Sequence, residues 1–176
     1  MIELQPYAPR DLLALIEGRD AFERSFSRPA ADGLRSFYVS GEISDKWLDQ
    51  LRRSLQPDPW TLGFAVVERA SGLVIGSAGF KGAPDREGGV EAAYGIVPAF
   101  EGRGLATEAL QELVYFAFND PRVRVVRAHT LPTNNASTRV LTKNGFTKLG
   151  PVDDPEDGCV WRWERTQSQS EEHYRP

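Results

Sequence analysis

Residues 101–107 read Glu101-Gly102-Arg103-Gly104-Leu105-Ala106-Thr107, set between the apolar stretch Val90 to Val97 and the run Leu105 to Phe118. In that run Leu105, Ala109, Leu113, Phe116 and Ala117 recur three and four residues apart, the mark of an amphipathic helix. The order is therefore strand, glycine turn, helix. Glycines let the chain turn sharply and let a ligand approach the backbone. The first turn of a helix carries amides with no acceptor inside the helix, and the helix dipole makes that end electropositive. An anion such as a diphosphate suits it, and Arg103 adds a full positive charge. A glycine-rich loop that merely starts a helix would read the same way in isolation. The turn lacks the Gly-Lys-Ser/Thr of a P-loop and the spacing of a dinucleotide fingerprint.

Upstream of the turn, Thr61 to Glu68, Leu73 to Phe80 and Val90 to Val97 read as three strands. The turn chemistry of Arg69 to Gly72 and the polar loop Lys81 to Gly89 separate them, so an antiparallel meander is expected. Before the meander, Met1 to Gln5 suits a strand, Pro9 to Glu17 a short helix, and Ser44 can cap a helix running to about Leu55. The stretch Phe22 to Phe37 has no decisive pattern. Downstream, Val123 to Leu131 reads as a strand, Ala136 to Lys143 as a short helix stopped by Asn144-Gly145, and Val160 to Glu164 as a last strand. The expected architecture is α+β, one domain over residues 1–165, with a polar tail at 166–176.

The bulk properties fit this picture. A chain of 176 residues is long enough for one domain with a real core. A net charge of -4 argues against a nucleic-acid partner, which usually requires a basic face. Met1 to Asp11 has no basic flank or long apolar run, so no signal peptide is expected. No apolar stretch approaches the roughly 20 residues of a membrane span. The single cysteine, Cys159, rules out an internal disulfide and suits a reducing compartment, so the cytoplasm is the expected location. A homodimer is compatible with the sequence and not specified by it.

A second constellation follows the strand ending at Leu131. In Pro132-Thr133-Asn134-Asn135-Ala136-Ser137, Asn134 and Ser137 stand three apart at a helix start and can face one side. Helix capping by itself would also place Asn and Ser here. Asn135 is adjacent and could share whatever role Asn134 has.

Together these segments resemble the GNAT superfamily of N-acyltransferases, over roughly Trp60 to Trp163. The family turn reads Gln/Arg-x-x-Gly-x-Gly/Ala and cradles the CoA pyrophosphate. It falls here on Glu101 to Ala106, with Gly104 and Ala106 matching and Glu101 departing from Gln or Arg. The resemblance implies a GNAT-like domain with a central, mostly antiparallel, twisted sheet flanked by helices. It implies acetyl-CoA as acyl donor, bound by the turn through Arg103, Gly104, Leu105, Ala106 and Thr107. It also implies that Tyr94-Gly95-Ile96-Val97 is the strand whose backbone meets the pantetheine arm, through Ile96 and Val97. Within the superfamily, Asn134-x-x-Ser137 followed by Asn144-Gly145-Phe146 is similar to the ribosomal-protein N-terminal acetyltransferase branch. There the Asn bonds the CoA arm and the Ser can protonate the leaving thiolate.

Acylation of an amine also needs a base. Glu91 stands in an otherwise apolar strand, and the similar acetyltransferases carry a Glu there. His129, near the end of the strand Val123 to Leu131, is the second candidate, since an imidazole suits proton transfer near neutral pH. An exposed strand edge and a structural histidine are the plain alternatives. Cys159 has no activating partner in the sequence and reads as a packing residue, and two distant histidines with one cysteine make no metal site. His173 lies in the tail. The acceptor amine would be shaped by the region Phe22 to Trp60 and drawn in by the acidic loop Asp153-Asp154-Pro155-Glu156-Asp157, unless that loop is simply solvated. The expected function is N-acetyl transfer by direct attack of an amine in a ternary complex. A CoA-binding module without catalysis, serving as sensor or assembly partner, is the alternative.

Overall fold

The structure, a computed structural model, describes residues 1–39, 45–155 and 157–167, so the cap expected at Ser44, Glu156 of the acidic loop and His173 lie outside the described residues. The chain opens with β1 (Ile2–Pro6) and five helices: α1 (Pro9–Glu17), α2 (Arg19–Phe26), α3 (Leu34–Tyr38), α4 (Asp45–Arg53) and α5 (Pro59–Leu62). The meander follows as β2 (Phe64–Glu68), β3 (Val74–Phe80) and β4 (Gly89–Ile96). Then come α6 (Leu105–Phe118), β5 (Val125–Thr130), α7 (Ala136–Lys143), β6 (Thr147–Asp154) and β7 (Gly158–Thr166). The strands form one sheet in the order β1-β2-β3-β4-β5-β7-β6. Every neighbouring pair is antiparallel except β4 and β5.

The sheet separates two covered faces. Phe64, Phe80 and Trp60 pack against Phe116 of α6 on one side. On the other, Tyr7 lies among Phe22, Phe26 and Tyr38 and its hydroxyl reaches Ser77 Oγ at 3.1 Å. Strand alternation then assigns β4. Ala92 pairs with Phe80 and so faces α6, as Val90, Tyr94 and Ile96 do. Gly95 pairs with Ser77, so Gly95, Ala93 and Glu91 face the N-terminal helices.

The structure corrects three readings. Thr61 and Leu62 do not open β2. They close the turn α5, whose cap is Asp58, accepting from Trp60 N at 3.1 Å. Gly63, at φ 71°, ends that turn; a Cβ there would lie 2.8 Å from the carbonyl of Ala78. Second, β6 is a strand where none was expected. It holds Gly150 and Pro151, which disfavour a central strand but suit an edge, and the register with β7 shifts at Gly150. Asp153 and Asp154 therefore end a strand of a hairpin. Third, Thr166, counted with the tail, pairs with Val125 inside β7.

Candidate active site

β4 pairs with β3 from Ala92 to Ile96, but with β5 only from Gly89 to Glu91. Beyond Glu91 the two parallel strands part, and β4 keeps an edge without a strand partner. Such an edge offers N–H and C=O groups to an amide-bearing chain. The opening is a cleft of about 800 Å³. Tyr94, Gly95 and Ile96 line one wall; Ser137, Arg139, Val140 and Lys143 of α7 line the other. Its end is closed by the glycine turn, through Gly102, Gly104, Ala106 and Thr107.

The turn has the conformation that its glycines allow. Gly102 and Gly104 hold φ values of 74° and 80°, and Gly104 is the N-cap of α6 without a side-chain cap. Thr107 N already bonds Gly104 O at 3.0 Å, which leaves Leu105 and Ala106 as the first-turn amides without an intrahelical acceptor. Leu105 itself is buried. The turn thus presents an amide cradle at the end of the cleft.

Arg103 is engaged within the protein. Its guanidinium pairs with the buried carboxylate of Glu68, at the end of β2, and lies 5.1 Å from the Phe100 ring centre. It anchors the turn to the sheet. A hydrogen bond from Ser71, working against burial, and the Arg103 charge hold the Glu68 carboxyl below the usual range. The cations in the cleft wall are Arg139 and Lys143, which the sequence reading passed over. Their helical spacing of four was visible, but nothing in the sequence showed which face of α7 the cleft would take.

At the other end of α7 the cap is Asn135. Its side chain accepts from Thr138 N at 3.0 Å, while Thr138 Oγ1 accepts from Asn135 N at 3.0 Å. Asn134 is exposed on the turn and takes no part in the cap. Ser137 lines the cleft, and its carbonyl accepts from the Tyr94 hydroxyl at 3.5 Å. Ile96 lines it as well. Val97 is buried, with its N–H bonded to Ile75 O at 2.8 Å and its C=O accepting from Phe100 N at 2.9 Å, so its backbone groups are already engaged. Asn144, read as a helix stop, does more. Its side chain donates to Thr107 O at 3.2 Å and so ties the end of α7 to the first turn of α6.

Glu91 and His129 come together on the sheet face that carries the N-terminal helices. His129 Nδ1 lies 3.0 Å from Glu91 Oε1, and Lys81 Nζ lies 2.8 Å from the same oxygen. Burial pushes the Glu91 carboxyl upward, but hydrogen bonds from Lys81 and His129 outweigh it and the net shift is downward. The bond to Glu91 holds Lys81 above its ordinary range against partial burial, and Asp154 and Asp157 add attraction. The acidic hairpin therefore lies within electrostatic reach of this cluster. Cys159 is exposed, on β7. Among the described residues no group of three or more His, Cys, Asp or Glu could hold a metal ion, and no helix is long and apolar enough to cross a membrane.

A splayed sheet, an amide cradle at a helix start and a hydroxyl-bearing second helix thus share one cleft. The chain belongs to the GNAT acetyltransferases: residues 2–147 match the Acetyltransferase (GNAT) domain family. It is similar to the probable N-acetyltransferase YjcK of Bacillus subtilis, 30% identical over 76% of this chain and 71% of that protein. The uncharacterized N-acetyltransferase p20 of Bacillus licheniformis is 29% identical over 53% of this chain, and the match spans only 52% of that protein. An aminoglycoside N(6')-acetyltransferase type 1 of Klebsiella pneumoniae is 34% identical over 38% of this chain and 36% of its own length. Among solved structures, aminoglycoside acetyltransferase AAC(6')-Ib in complex with coenzyme A and kanamycin has a TM-score of 0.67 at 20% identity, over 98% of both chains. At that identity the likeness shows the fold.

Proposed function

We propose that this chain is an acetyl-CoA-dependent N-acetyltransferase acting on a primary amine by direct attack in a ternary complex. The observation that carries the reading is the cleft itself. It joins the free amides of α6, the unpaired edge of β4 and the Ser137 hydroxyl in one continuous groove. Pantetheine fits the β4 edge, the pyrophosphate fits the amides of Leu105 and Ala106, and the thioester lies toward Ser137.

The amine nitrogen attacks the thioester carbonyl, a C–N bond forms, and the C–S bond breaks as the tetrahedral intermediate collapses. The Ser137 hydroxyl donates a proton to the departing thiolate. The proton lost by the amine passes to the Glu91–His129 pair. An ionised Glu91 accepts from His129 Nδ1–H, and in the neutral imidazole that tautomer keeps the lone pair on Nε2. His129 is then the base and Glu91 the group that orients it, the reverse of the ranking that sequence alone suggested. An α-amine, about a tenth neutral at pH 7, asks less of this base than a lysine amine does.

The acidic end of the β6–β7 hairpin, near Lys81 and Glu91, favours an acceptor carrying positive charge. Two such acceptors have support. The Asn134-x-x-Ser137 segment is similar to the branch that acetylates protein N-termini. A relative is named as an aminoglycoside N(6')-acetyltransferase, so an aminoglycoside is the second. Incubation with acetyl-CoA and a panel of peptides, aminoglycosides and simple amines, followed by thiol release, tests the reading. Amine-dependent release supports it. CoA binding with no turnover on any amine would instead make the chain a binding module.

A further inference from the structure

We infer that Phe37 of α3 sets the size of the acyl group, disfavouring chains longer than acetyl at the thioester end of the cleft. The inference rests on the cleft being the acyl-CoA site. It begins with Gly95, which lies inside β4 and outside the left-handed region of φ. A glycine inside a strand weakens it and often marks the close approach of another group. The group here is Phe37: a Cβ on Gly95 would lie 2.2 Å from Phe37 Cζ and 3.0 Å from its Cε2. The tip of the ring takes the space that a side chain would fill.

The chain before α3 holds the ring in place. Ala31 N donates to Val74 O at 2.9 Å, so that segment is laid against β3. Leu34 is buried, and residues three apart share a helix face, so Leu34 enters the core while Phe37 reaches over the sheet. Tyr38 packs near Tyr7 and Trp47, whereas Phe37 is 36% exposed. An exposed ring is ordinary by itself. Its position is what gives it a role, because it lines the cleft together with Tyr94, Gly95 and Ser137.

The backbone of β4 shows which way the cleft is used. Glu91 O accepts from Lys81 N and Val97 N donates to Ile75 O, so alternate residues turn their backbone groups toward β3. Tyr94 and Ile96 turn theirs to the open edge, on either side of Gly95. The side chains of Glu91, Ala93 and Gly95 belong to the face of the N-terminal helices, which is also the face of the Glu91–His129 pair. An amine served by that pair arrives on the face that carries Phe37. From Glu91 to Gly95 is about 13 Å of strand, and between them β4 places only Ala93 on that face. The acyl group and the amine share this space. Acetyl fits beside the ring, and propionyl or butyryl presses on it. The ring can turn aside, so it acts as a bias against longer chains and not as an absolute block.

The test compares acetyl-, propionyl- and butyryl-CoA on the full chain, in the wild type and in Phe37→Ala, Phe37→Leu and Phe37→Trp. Thiol release with two unrelated primary amines gives kcat/KM, calorimetric titration gives affinity, and thermal unfolding checks the fold. One methylene too many for a pocket costs about 10–200-fold, so the wild type is expected to favour acetyl- over butyryl-CoA about 100-fold. Phe37→Ala should raise the butyryl-to-acetyl ratio about tenfold or more, by the same factor with both amines, and tighten butyryl-CoA relative to CoA. Phe37→Leu should fall between, and Phe37→Trp should lose propionyl transfer as well. A wild type that uses butyryl-CoA as readily as acetyl-CoA would overturn the inference. So would an unchanged ratio in Phe37→Ala with a raised acceptor KM, which would make the ring a wall for the amine. Absence of thiol release with every donor and amine would instead remove the transferase reading, and the titration alone would then decide the role of Phe37.

Discussion

His129 Nδ1 stands 3.0 Å from Glu91 Oε1, the oxygen that Lys81 Nζ also meets at 2.8 Å. A carboxylate already engaged by two donors is a poor proton acceptor, whereas an imidazole fixed through one nitrogen presents the other. His129→Gln is therefore expected to lower kcat about 100-fold, with the KM for acetyl-CoA nearly unchanged. Glu91→Gln should keep a residual activity above that of His129→Gln, because the imidazole survives with poorer orientation. Steady-state kinetics on both variants check the order. A larger loss in Glu91→Gln would return the base role to the carboxylate.

Asn144 joins two helices from a buried position, donating to Thr107 O at 3.2 Å and Val140 O at 3.0 Å. Asn144→Ala leaves the Thr107 carbonyl short of a donor. A destabilisation of about 2 kcal/mol is expected, or a fall in Tm of roughly 4–8 °C. CoA affinity should fall with it, since the amide cradle loses its tie to α7. Thermal unfolding with and without CoA measures both effects.

Two glycines in the sheet should respond differently to alanine. A Cβ on Gly76 would lie 2.1 Å from the carbonyl oxygen of Gly95, and backbone in a paired strand cannot yield. Gly76→Ala is expected to cost about 3 kcal/mol. A Cβ on Gly95 would meet Phe37 Cζ at 2.2 Å, and that ring can turn aside. Gly95→Ala should cost about 1 kcal/mol and show strong coupling to Phe37→Ala in a double-mutant cycle. Additive effects would mean that Phe37 does not rest on Gly95.

The carboxylates Glu68, Asp85, Glu91 and Glu164 are all held below their ordinary range. Hydrogen bonds and nearby cations are responsible in each, against burial. A depressed carboxylate contributes stability that is fully present above its unfolded value, about 4. That contribution fades as pH falls through the folded values. Denaturant unfolding should therefore give a flat stability from neutral pH to about 5 and a steep decline below 4. A decline already complete by pH 5 would contradict the assignment.

Much of this arrangement was legible before folding. α1, α6 and α7 kept their sequence-derived bounds because glycine, proline and helical spacing all agreed at their ends. The meander was visible in three apolar runs split by turn residues. β6 was hidden because an edge strand tolerates the Gly150-Pro151 pair, which reads as loop chemistry. The amide cradle could be read from Gly102 to Ala106, but the fate of Arg103 could not. Its partner, Glu68, lies 35 residues away on another strand. The same limit applied to Glu91 and His129. Both were candidates, and only the parallel pairing of β4 with β5 made them one unit.

Amine-dependent release of CoA thiol from acetyl-CoA, compared between the wild-type chain and Ser137→Ala, tests the central claim most directly. The account expects release only when a primary amine is present, a fall in kcat of about 100-fold in Ser137→Ala, and unchanged CoA affinity in that variant. Tight CoA binding without thiol release on any amine, or release that ignores the amine, would contradict it.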